Sequence, residues 1–337
     1  MADDIHVNPR HGGDEKTPPR RSSATKSATT RYILPLSLLT LLMSVLVASL
    51  PRPNLSSLSR LVPTIRTSHR AMTSTTPAPL PALDRTHFNP TLYTSILDAW
   101  FADQPPSSLL PTEASSKRWF SNPDKSAAAA FDSSLRTAFL PALTTLLPSR
   151  LALPHGTTFA EEVALAPHLA APFLSDILPA STSPSDVQRA ADNALAVVLL
   201  LDQIPRNIFR TEQGVIYTHF DLLSRAVVRT LLGQEADKRP DWSAGTRENM
   251  ARRMWFYLPL MHSEWVEDHE GWTRENEGIA ETEENKGFLE FARGFEERHA
   301  VIIKRFGRYP YRNEAVGRET TEEERVWIEE GGERFSA

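Results

Sequence analysis

Apolar side chains recur every three or four positions from about residue 90 onward, which is the spacing of amphipathic α-helices. The segment "NPTLYTSILDAWF" shows the pattern first, and it begins with Asn89 as a helix cap and Pro90 at the first helical position. The apolar residues that fall on one side of this segment are Leu92, Ile96, Leu97, Trp100 and Phe101. The spacing therefore predicts a helix that begins near residue 90.

The same pattern predicts helices along most of the remaining chain. They cover "NPDKSAAAAFDSSLRTAFLPALTTLL", the stretch from Ser185 or Asp186 to Leu201, residues 214–232, residues 246–264 and "KGFLEFARGFEERHAVIIKRF". Gly307 ends the last of these, and Thr320 with Glu323 has the pattern of a capping box. The Ala- and Pro-rich residues 148–185 predict short helices that prolines interrupt. Because no alternating strand pattern occurs, we predict an all-α domain of stacked antiparallel helix pairs.

The first 83 residues differ from the rest in composition. Residues 1–31 are polar and rich in Pro, Ser and Thr, which is typical of a disordered segment. Within the hydrophobic segment 32–50, residues 33–50 carry no charge over 18 positions, close to the shortest length that spans a bilayer. Residues 51–83 form a linker rich in Ser, Thr, Pro and Arg. The folded domain is therefore predicted at residues 84–335.

This N-terminal extension has several interpretations. Residues 33–50 are predicted to be a single-pass membrane anchor, and the basic residues before them favour a cytoplasmic N-terminus. A secretory signal sequence with a long basic leader is an alternative. Residues 51–83 contain arginine and no acid, as mitochondrial transit peptides do. Translation from Met72 would instead leave a cytoplasmic domain.

Composition and charge narrow the classes of function. The 337-residue chain has no cysteine, which excludes disulfides, thiolate zinc sites and cysteine nucleophiles. Residues 84–337 contain 27 Lys and Arg against 38 Asp and Glu, a net charge of −11, so binding of nucleic acid is not expected. Eight acids and one arginine lie between residues 267 and 284, a composition typical of a solvated loop or helix face.

The first of three polar clusters, "LLLDQIPRNIFR", ends a long apolar run with several polar side chains. Asp202 near a helix C-terminus is disfavoured by the helix dipole, so it needs a cation such as Arg206. Pro205 cannot continue the hydrogen-bond ladder of the helix. The chain is therefore expected to bend at Pro205 and to turn Arg206 and Asn207 away from the helix axis.

The second and third clusters follow later helices. "YLPLMHSEW" holds His262, Ser263 and Glu264, but its spacing is not that of a zinc protease, and neighbouring Ser and His do not make a triad. "RFGRYPYRNEAVGR" holds four arginines in fourteen residues, with aromatic residues between them. In an acidic domain these arginines need carboxylates or an anionic ligand, and the planar guanidinium suits both.

These clusters, together with the Trp-Phe pairs of "ILDAWF" and "KRWFSNPD", resemble the signature of the DUF924 family over roughly residues 90–330. The resemblance implies an all-α fold similar to tetratricopeptide-repeat proteins and no established activity. The Ala- and Pro-rich segment 148–185 departs from the family pattern as an insertion. "RTEQGVIYTHFD" also departs from it, because the family usually has a more alanine-rich segment there.

The clusters have three interpretations. In the first interpretation the clusters are structural. Buried carboxylates pair with arginines, asparagines hydrogen-bond to loop backbone groups, and a histidine lies in the core with its hydrogen bonds made. The residues in these roles are Asp202 and Glu264 with Arg206, Arg308 and Arg312, then Asn207 and Asn313, and finally His299.

In the second interpretation the domain is a binding module for an anionic small molecule or peptide. Its candidate ligand-binding residues are Arg206, Asn207, Arg308, Arg312 and Asn313, and Tyr309 and Tyr311 would add flat contact area.

The third interpretation is a hydrolase-like enzyme. Its base is Asp202 or Glu264, and His262 or His299 is an acid or an orienting group. Arg206 and Arg312 would then clamp an anion. No cofactor and no metal are predicted, although His262, Glu264 and His299 are metal-ligating residue types. We further predict that the three clusters converge to within about 20 Å, two helix diameters.

Overall fold

The computed structural model describes residues 77–120 and 122–335. Every regular element in these two ranges is helical and none is a strand, which confirms the all-α fold. The tetratricopeptide-like stacking of helix pairs stays a prediction. Residues 1–31, the hydrophobic segment 32–50 and the linker as far as residue 76 lie outside the described ranges, and no helix within those ranges is long and apolar enough to cross a bilayer.

The helices of the first half run from residue 90 to residue 208. They are α1 Pro90–Trp100, α2 Glu113–Phe120, α3 Lys125–Thr144, α4 Phe159–Ile177, α5 Pro184–Val198 and α6 Ile204–Ile208. The predicted cap of α1 is confirmed, because the side chain of Asn89 accepts hydrogen bonds from the backbone of Thr91 and Leu92. Asp124, Thr158 and Ser183 cap α3, α4 and α5 in the same way, so local side chains determine where each helix begins.

The second half of the described chain has shorter helices. They are α7 Gln213–Val215, α8 Asp221–Leu232, α9 Met250–Arg253, α10 Leu258–Met261, α11 Val266–Glu277, α12 Lys286–Phe306 and α13 Glu322–Glu329. Gly307 adopts φ 69° and ends α12, as predicted. The capping box of α13 lies one residue later than predicted, on Thr321 and Glu324. The acidic segment 267–284 begins as α11, in which Asp268 and His269 are buried, so that segment is not simply a solvated face.

The prediction of short helices in residues 148–185 is wrong. Residues 159–177 form the single helix α4, which contains Pro167 and Pro172. One side of α4 is buried against α5 and α8 and carries Ala166, Leu169, Ala170, Phe173 and Ile177. Burial of a large apolar side chain stabilises by about 1.5–3 kcal/mol, so this continuous contact offsets the hydrogen bonds lost at the two prolines.

The predicted bend at Pro205 stays a prediction, but the helical run does not end there. After α5 the chain makes one wide π turn, Leu199–Gln203, and then continues as α6. Pro205 has no N–H group for this run, and the backbone N–H of Ile204 bonds to the carbonyl of Leu199 across the π turn, so the helical run continues through the proline. Asp202 therefore lies inside a continuous helical run rather than at its C-terminus.

Residues 246–264 were predicted as one helix and form three short pieces instead. They are α9, a 3₁₀ turn at Met254–Phe256, and α10. Pro259 lies in the first turn of α10, and the break places the buried Tyr257 side chain so that its hydroxyl donates to Asp241 at 2.7 Å. A proline and one buried polar contact thus divide the predicted helix.

The core is centred on α5 and the π turn that follows it. The residues from Ala194 to Leu201 are all fully buried. Around them α1 packs on α5, α4 packs on α5 and α8, and α3 packs on α6. The polar end of this run, from Asp202 onward, is therefore buried inside the domain and must find its partners there.

Candidate functional site

The three polar clusters lie together. Asp202 Oδ1 of the first cluster accepts from His262 Nδ1 of the second at 2.9 Å. Arg312 Nη1 of the third donates to the carbonyl of His262 at 3.0 Å, and the backbone N–H of Tyr309 donates to Glu264 at 3.0 Å. Side chains up to about one hundred residues apart in sequence thus share one network, as predicted.

A residue that the sequence analysis did not select joins these clusters. Asp221 opens α8, and its carboxylate has no exposed surface. Its Oδ1 accepts from Arg206 Nη1 at 2.8 Å, and its Oδ2 lies 3.4 Å from Arg312 Nη1. Two buried guanidinium groups therefore share one carboxylate. A sequence signal was present, because Asp221 interrupts an apolar stretch between Phe220 and Leu222.

Two π turns flank this network. The first, Leu199–Gln203, carries Asp202, and the second, Ile216–Phe220, carries Tyr217 and leads directly into Asp221. The two turns contact each other. A π turn is rare, and it occurs frequently at functional sites.

Asp202 and His262 form an oriented pair. Burial raises the pKa of Asp202, but the neighbouring charges of His262 and Arg206 and the hydrogen bonds from His262 and Gln203 outweigh burial and lower this pKa to about 2. Burial and the positive charge of Arg206 lower the pKa of His262. Near neutral pH His262 is therefore uncharged, and its Nδ1–H donates to the ionised Asp202. The Nε2 atom is left as the acceptor.

Arg312 is fixed between aromatic rings. Its guanidinium carbon lies 4.5 Å from the ring centre of Tyr217 and 4.4 Å from that of Tyr309. Tyr309 is fully buried, and its hydroxyl donates to the carbonyl of Met261 at 2.7 Å. The predicted role of Tyr309 as a flat ligand contact is therefore replaced by a role in holding Arg312.

Some donors of this network remain unpaired. Arg206 Nη2 is buried and makes no hydrogen bond within the described part of the chain; Asp202 Oδ1, at 3.8 Å, is too far away. Arg312 Nε is buried and also unpaired among residues 77–120 and 122–335. His262 Nε2 has no hydrogen bond to the described residues, and the His262 side chain is 15% exposed. Buried charged donors without acceptors are costly, so the two guanidinium atoms mark where an acceptor from outside the fold could bind.

Glu264 is paired differently from the expectation. Its two oxygens accept from Arg318 at 2.6 and 2.9 Å, whereas Arg308 and Arg312 make no ion pair with it. Burial raises the pKa of Glu264, but the hydrogen bond from Arg318 and the charges of Arg312 and Arg318 outweigh it and lower this pKa. A carboxylate held in this way is a poor general base.

Three of the five predicted ligand-binding residues point elsewhere. Arg308 binds Glu324 at 2.6 and 2.8 Å, and Asn313 donates to the same carboxylate at 3.1 Å. Asn207 donates to Asp132 at 2.8 Å. These contacts fix α13 and α3, and they leave Arg206 and Arg312 as the predicted cations in the network.

His299 is a core histidine. It is buried on α12, its Nδ1 contacts the carbonyl of Phe295 at 2.8 Å, and its ring stacks on Phe335 at 3.4 Å between centres. Burial keeps the pKa of His299 well below its ordinary value. Within the described ranges no group of three His, Cys, Asp or Glu is arranged to hold a metal ion.

The buried His299 is expected to make stability depend on pH. The unfolded chain takes up a proton on this histidine near pH 6.5 and the folded chain does not, so the free energy of unfolding should fall as pH falls below about 6.5. One such histidine contributes at most about 1.4 kcal/mol per pH unit. Urea unfolding between pH 7 and pH 5 should show a shallower slope for His299→Phe than for the wild type. The exposed control His155→Gln should keep the wild-type slope, and equal slopes for wild type and His299→Phe would refute the assignment.

A family model described as "Bacterial protein of unknown function (DUF924)" matches residues 96–332, well over half of the chain. The chain belongs to the DUF924 family. The family has no established biochemical function, and no curated protein matches this chain. Among solved structures, a protein of unknown function from Agrobacterium tumefaciens is similar at 24% identity and a TM-score of 0.40, over 74% of this chain and 100% of that one.

The network lies entirely inside the DUF924 match, and part of it is exposed. The side chains of Glu264 and Arg318 are each 28% exposed, and at the edge that carries Arg206 and His262 these side chains are 11% and 15% exposed. Two surface depressions, of about 440 and 280 Å³, lie elsewhere: one is next to Leu140 on α3, and the other is next to Phe131 and Asp103.

Proposed function

We propose that this DUF924 domain is a binding module that takes an anionic group of a small molecule or peptide between Arg206, Arg312 and His262. The observation that carries the proposal is the buried Nη2 of Arg206, which has no acceptor within the described chain. Arg312 Nε is also buried and unpaired within that part of the chain. One ligand oxygen would accept from guanidinium donors that the fold itself leaves open, and Nε2 of His262 could join them only after it takes up a proton.

Charge and rigidity support the proposal. Hydrogen bonds from an ionised donor to an anion are about twice as strong as neutral ones, and the planar guanidinium gives them direction. Asp221 holds one nitrogen of Arg206 in place, and two tyrosine rings hold Arg312. A ligand would therefore meet donors that are already ordered, which lowers the entropic cost of binding.

Thermal unfolding of the full-length chain tests this function. Sodium acetate or sodium phosphate should replace sodium chloride at constant ionic strength, and at least one of them should raise the unfolding midpoint in a saturable way. Arg206→Lys keeps a cation for Asp221 but removes Nη2, so its midpoint should no longer rise with the anion, whatever its midpoint is without ligand. Arg325→Lys alters an arginine that is 51% exposed on α13 and should keep the full response. A wild type insensitive to both anions, or a full response in Arg206→Lys, would refute the proposal.

One contact favours hydrolysis as a second candidate function. Asp202 orients His262 through Nδ1 and leaves Nε2 as a proton acceptor at the partly exposed edge. In that reaction Nε2 takes a proton from water while the water oxygen attacks a carbonyl carbon, and the leaving group then takes the proton from Nε2. Arg206 would stabilise the negative charge that develops on the carbonyl oxygen. Turnover of small carboxylic esters that His262→Gln abolishes is expected; turnover no faster than in buffer would reject this candidate.

We also propose that residues 33–50 anchor the domain to a membrane, because they hold no charge over 18 positions. A mitochondrial transit peptide in residues 51–83 and translation from Met72 are the competing accounts. Carbonate extraction of cells that carry a C-terminally tagged chain should leave an anchored protein in the membrane pellet. Two results would reject the anchor: the tagged chain in cells lacks residues 1–71, or carbonate releases it from the membrane.

A further inference from the structure

The charges of the network are balanced when no ligand is bound. Three carboxylates, Asp202, Asp221 and Glu264, face three guanidinium groups, and near neutral pH His262 is uncharged. The guanidinium groups belong to Arg206, Arg312 and Arg318. An added anion would therefore leave one negative charge uncompensated in a largely buried site. Such a charge costs several kcal/mol unless a positive charge arrives with it.

His262 is the group in a position to supply that charge. Asp202, on the π turn Leu199–Gln203, accepts a hydrogen bond from Nδ1–H of His262. The charges of Arg206 on α6 and Asp221 on α8 also act on the His262 ring. His299 on α12 also faces it, and Arg312 donates to its backbone carbonyl. Its Nε2 is unpaired in the described chain and lies on the partly exposed side of the network.

A bound anion changes the charges around the His262 ring so that they favour its protonation. In the empty site Arg206 opposes protonation of His262, because both charges would be positive. An anion beside Arg206 offsets that repulsion and offers an acceptor for a proton on Nε2. Binding of the anion and uptake of a proton from solvent would then favour each other, as linked equilibria must.

We infer that the site takes a monocarboxylate together with one proton, which passes from solvent to Nε2 of His262. This inference rests on the proposed binding function and names its ligand class. A carboxylate carries one charge and two oxygens, so one proton restores neutrality and the two oxygens can accept from two donors, Arg206 Nη2 and His262 Nε2–H. A phosphate group carries about 1.5–2 charges at pH 7, and one proton would leave part of that charge uncompensated.

Calorimetric titration of the full-length chain with sodium acetate tests the inference. Titrations in buffers with different ionisation enthalpies should give an uptake of close to one proton per acetate at pH 7.5. The affinity should fall about tenfold per pH unit between pH 7 and pH 8.5. His262→Gln keeps an N–H donor near the Nε2 position and cannot take up a proton, so it should bind acetate more weakly than the wild type at pH 7, and any remaining affinity should not depend on pH. Arg325→Lys should behave as the wild type does.

The outcomes separate this inference from the binding function on which it rests. Acetate binding by the wild type without proton uptake, or uptake that persists in His262→Gln, overturns the inference and leaves the binding function standing. Phosphate binding without acetate binding has the same meaning. If neither anion binds, both the inference and the proposed function fail.

Discussion

Asp221→Asn is expected to lower the free energy of unfolding by about 3–5 kcal/mol, the cost of breaking a buried ion pair from one side. Asp221 is fully buried and is the carboxylate that Arg206 and Arg312 share. Asparagine has nearly the same shape but no charge, and its amide nitrogen cannot accept a hydrogen bond. Two buried guanidinium groups would then keep their positive charges with Asp202 as the nearest remaining counterion of Arg206.

Urea unfolding at pH 7 measures this loss. The matched control is Glu329→Gln, which removes the charge of a carboxylate that pairs with Arg325 on α13 and is 61% exposed. Solvent and salt screen that pair, so no measurable loss is expected. If Asp221→Asn is no less stable than Glu329→Gln, then the arginines do not depend on Asp221 and the account of the network is wrong.

Arg229→Met is expected to cost about 3–5 kcal/mol as well, through a second buried network. Arg229 on α8 donates to Glu162 on α4 at 2.8 Å and to both oxygens of Asp268 on α11 at 2.9 and 2.5 Å. Glu162 also accepts from Arg225 and from the indole of Trp265. Methionine fills similar space without charge, so it would leave Asp268 buried with no guanidinium group.

The pH dependence of this loss has a definite sign. Burial raises the pKa of Glu162, but Arg225, Trp265 and Arg229 outweigh burial and hold this pKa below its ordinary value. The stability that this lowered pKa contributes is present above about pH 4.5 and is lost as the carboxylate is protonated. The deficit of Arg229→Met relative to wild type should therefore shrink from pH 7 to pH 4. Arg325→Met on the exposed face of α13 is the control, and an equal deficit in the two variants would contradict the role of the buried network.

Both predictions concern one face of α8. Asp221, Arg225 and Arg229 lie four residues apart in succession, so they share one side of this helix. Asp221 joins the candidate binding network, whereas the two arginines join the Glu162 network. The four-residue spacing is present in the sequence, but the apolar stripe on the same helix led to an interpretation of α8 as a core helix only. A charged residue repeated every four positions within an apolar helix is a signal for a buried ion-pair network.

The helices themselves were largely predictable, because their signals are local. Apolar spacing predicted α1, α3 and α12, Asn89 marked the start of α1, and the φ of Gly307 confirms the predicted end of α12. The errors arose where tertiary packing decided the outcome. Burial keeps α4 continuous through two prolines, and the helical run that contains Asp202 continues through a π turn past Pro205.

The candidate site was predictable as a set of residue types but not as a set of pairs. Asp202, Arg206, His262 and Arg312 were selected correctly as members of one network. The partners of Glu264 and Arg308 were not predicted correctly. Several arginines and carboxylates are equally close in sequence, and the packing of α12 and α13 determines which of them pair. Sequence spacing carries no information about which distant charge a side chain will meet.

The most direct measurement of the central claim is NMR of the full-length chain labelled with ¹⁵N-arginine, followed during titration with sodium acetate. Lysine substitutions assign the signals, and Arg225 and Arg229, which are buried and already paired, serve as internal references. The account predicts that the Nε signals of Arg206 and Arg312 shift together and saturate with one dissociation constant, while those of the references stay in place. If the signals of Arg206 and Arg312 do not move, or move no more than those of exposed arginines such as Arg325, then this network does not bind the anion.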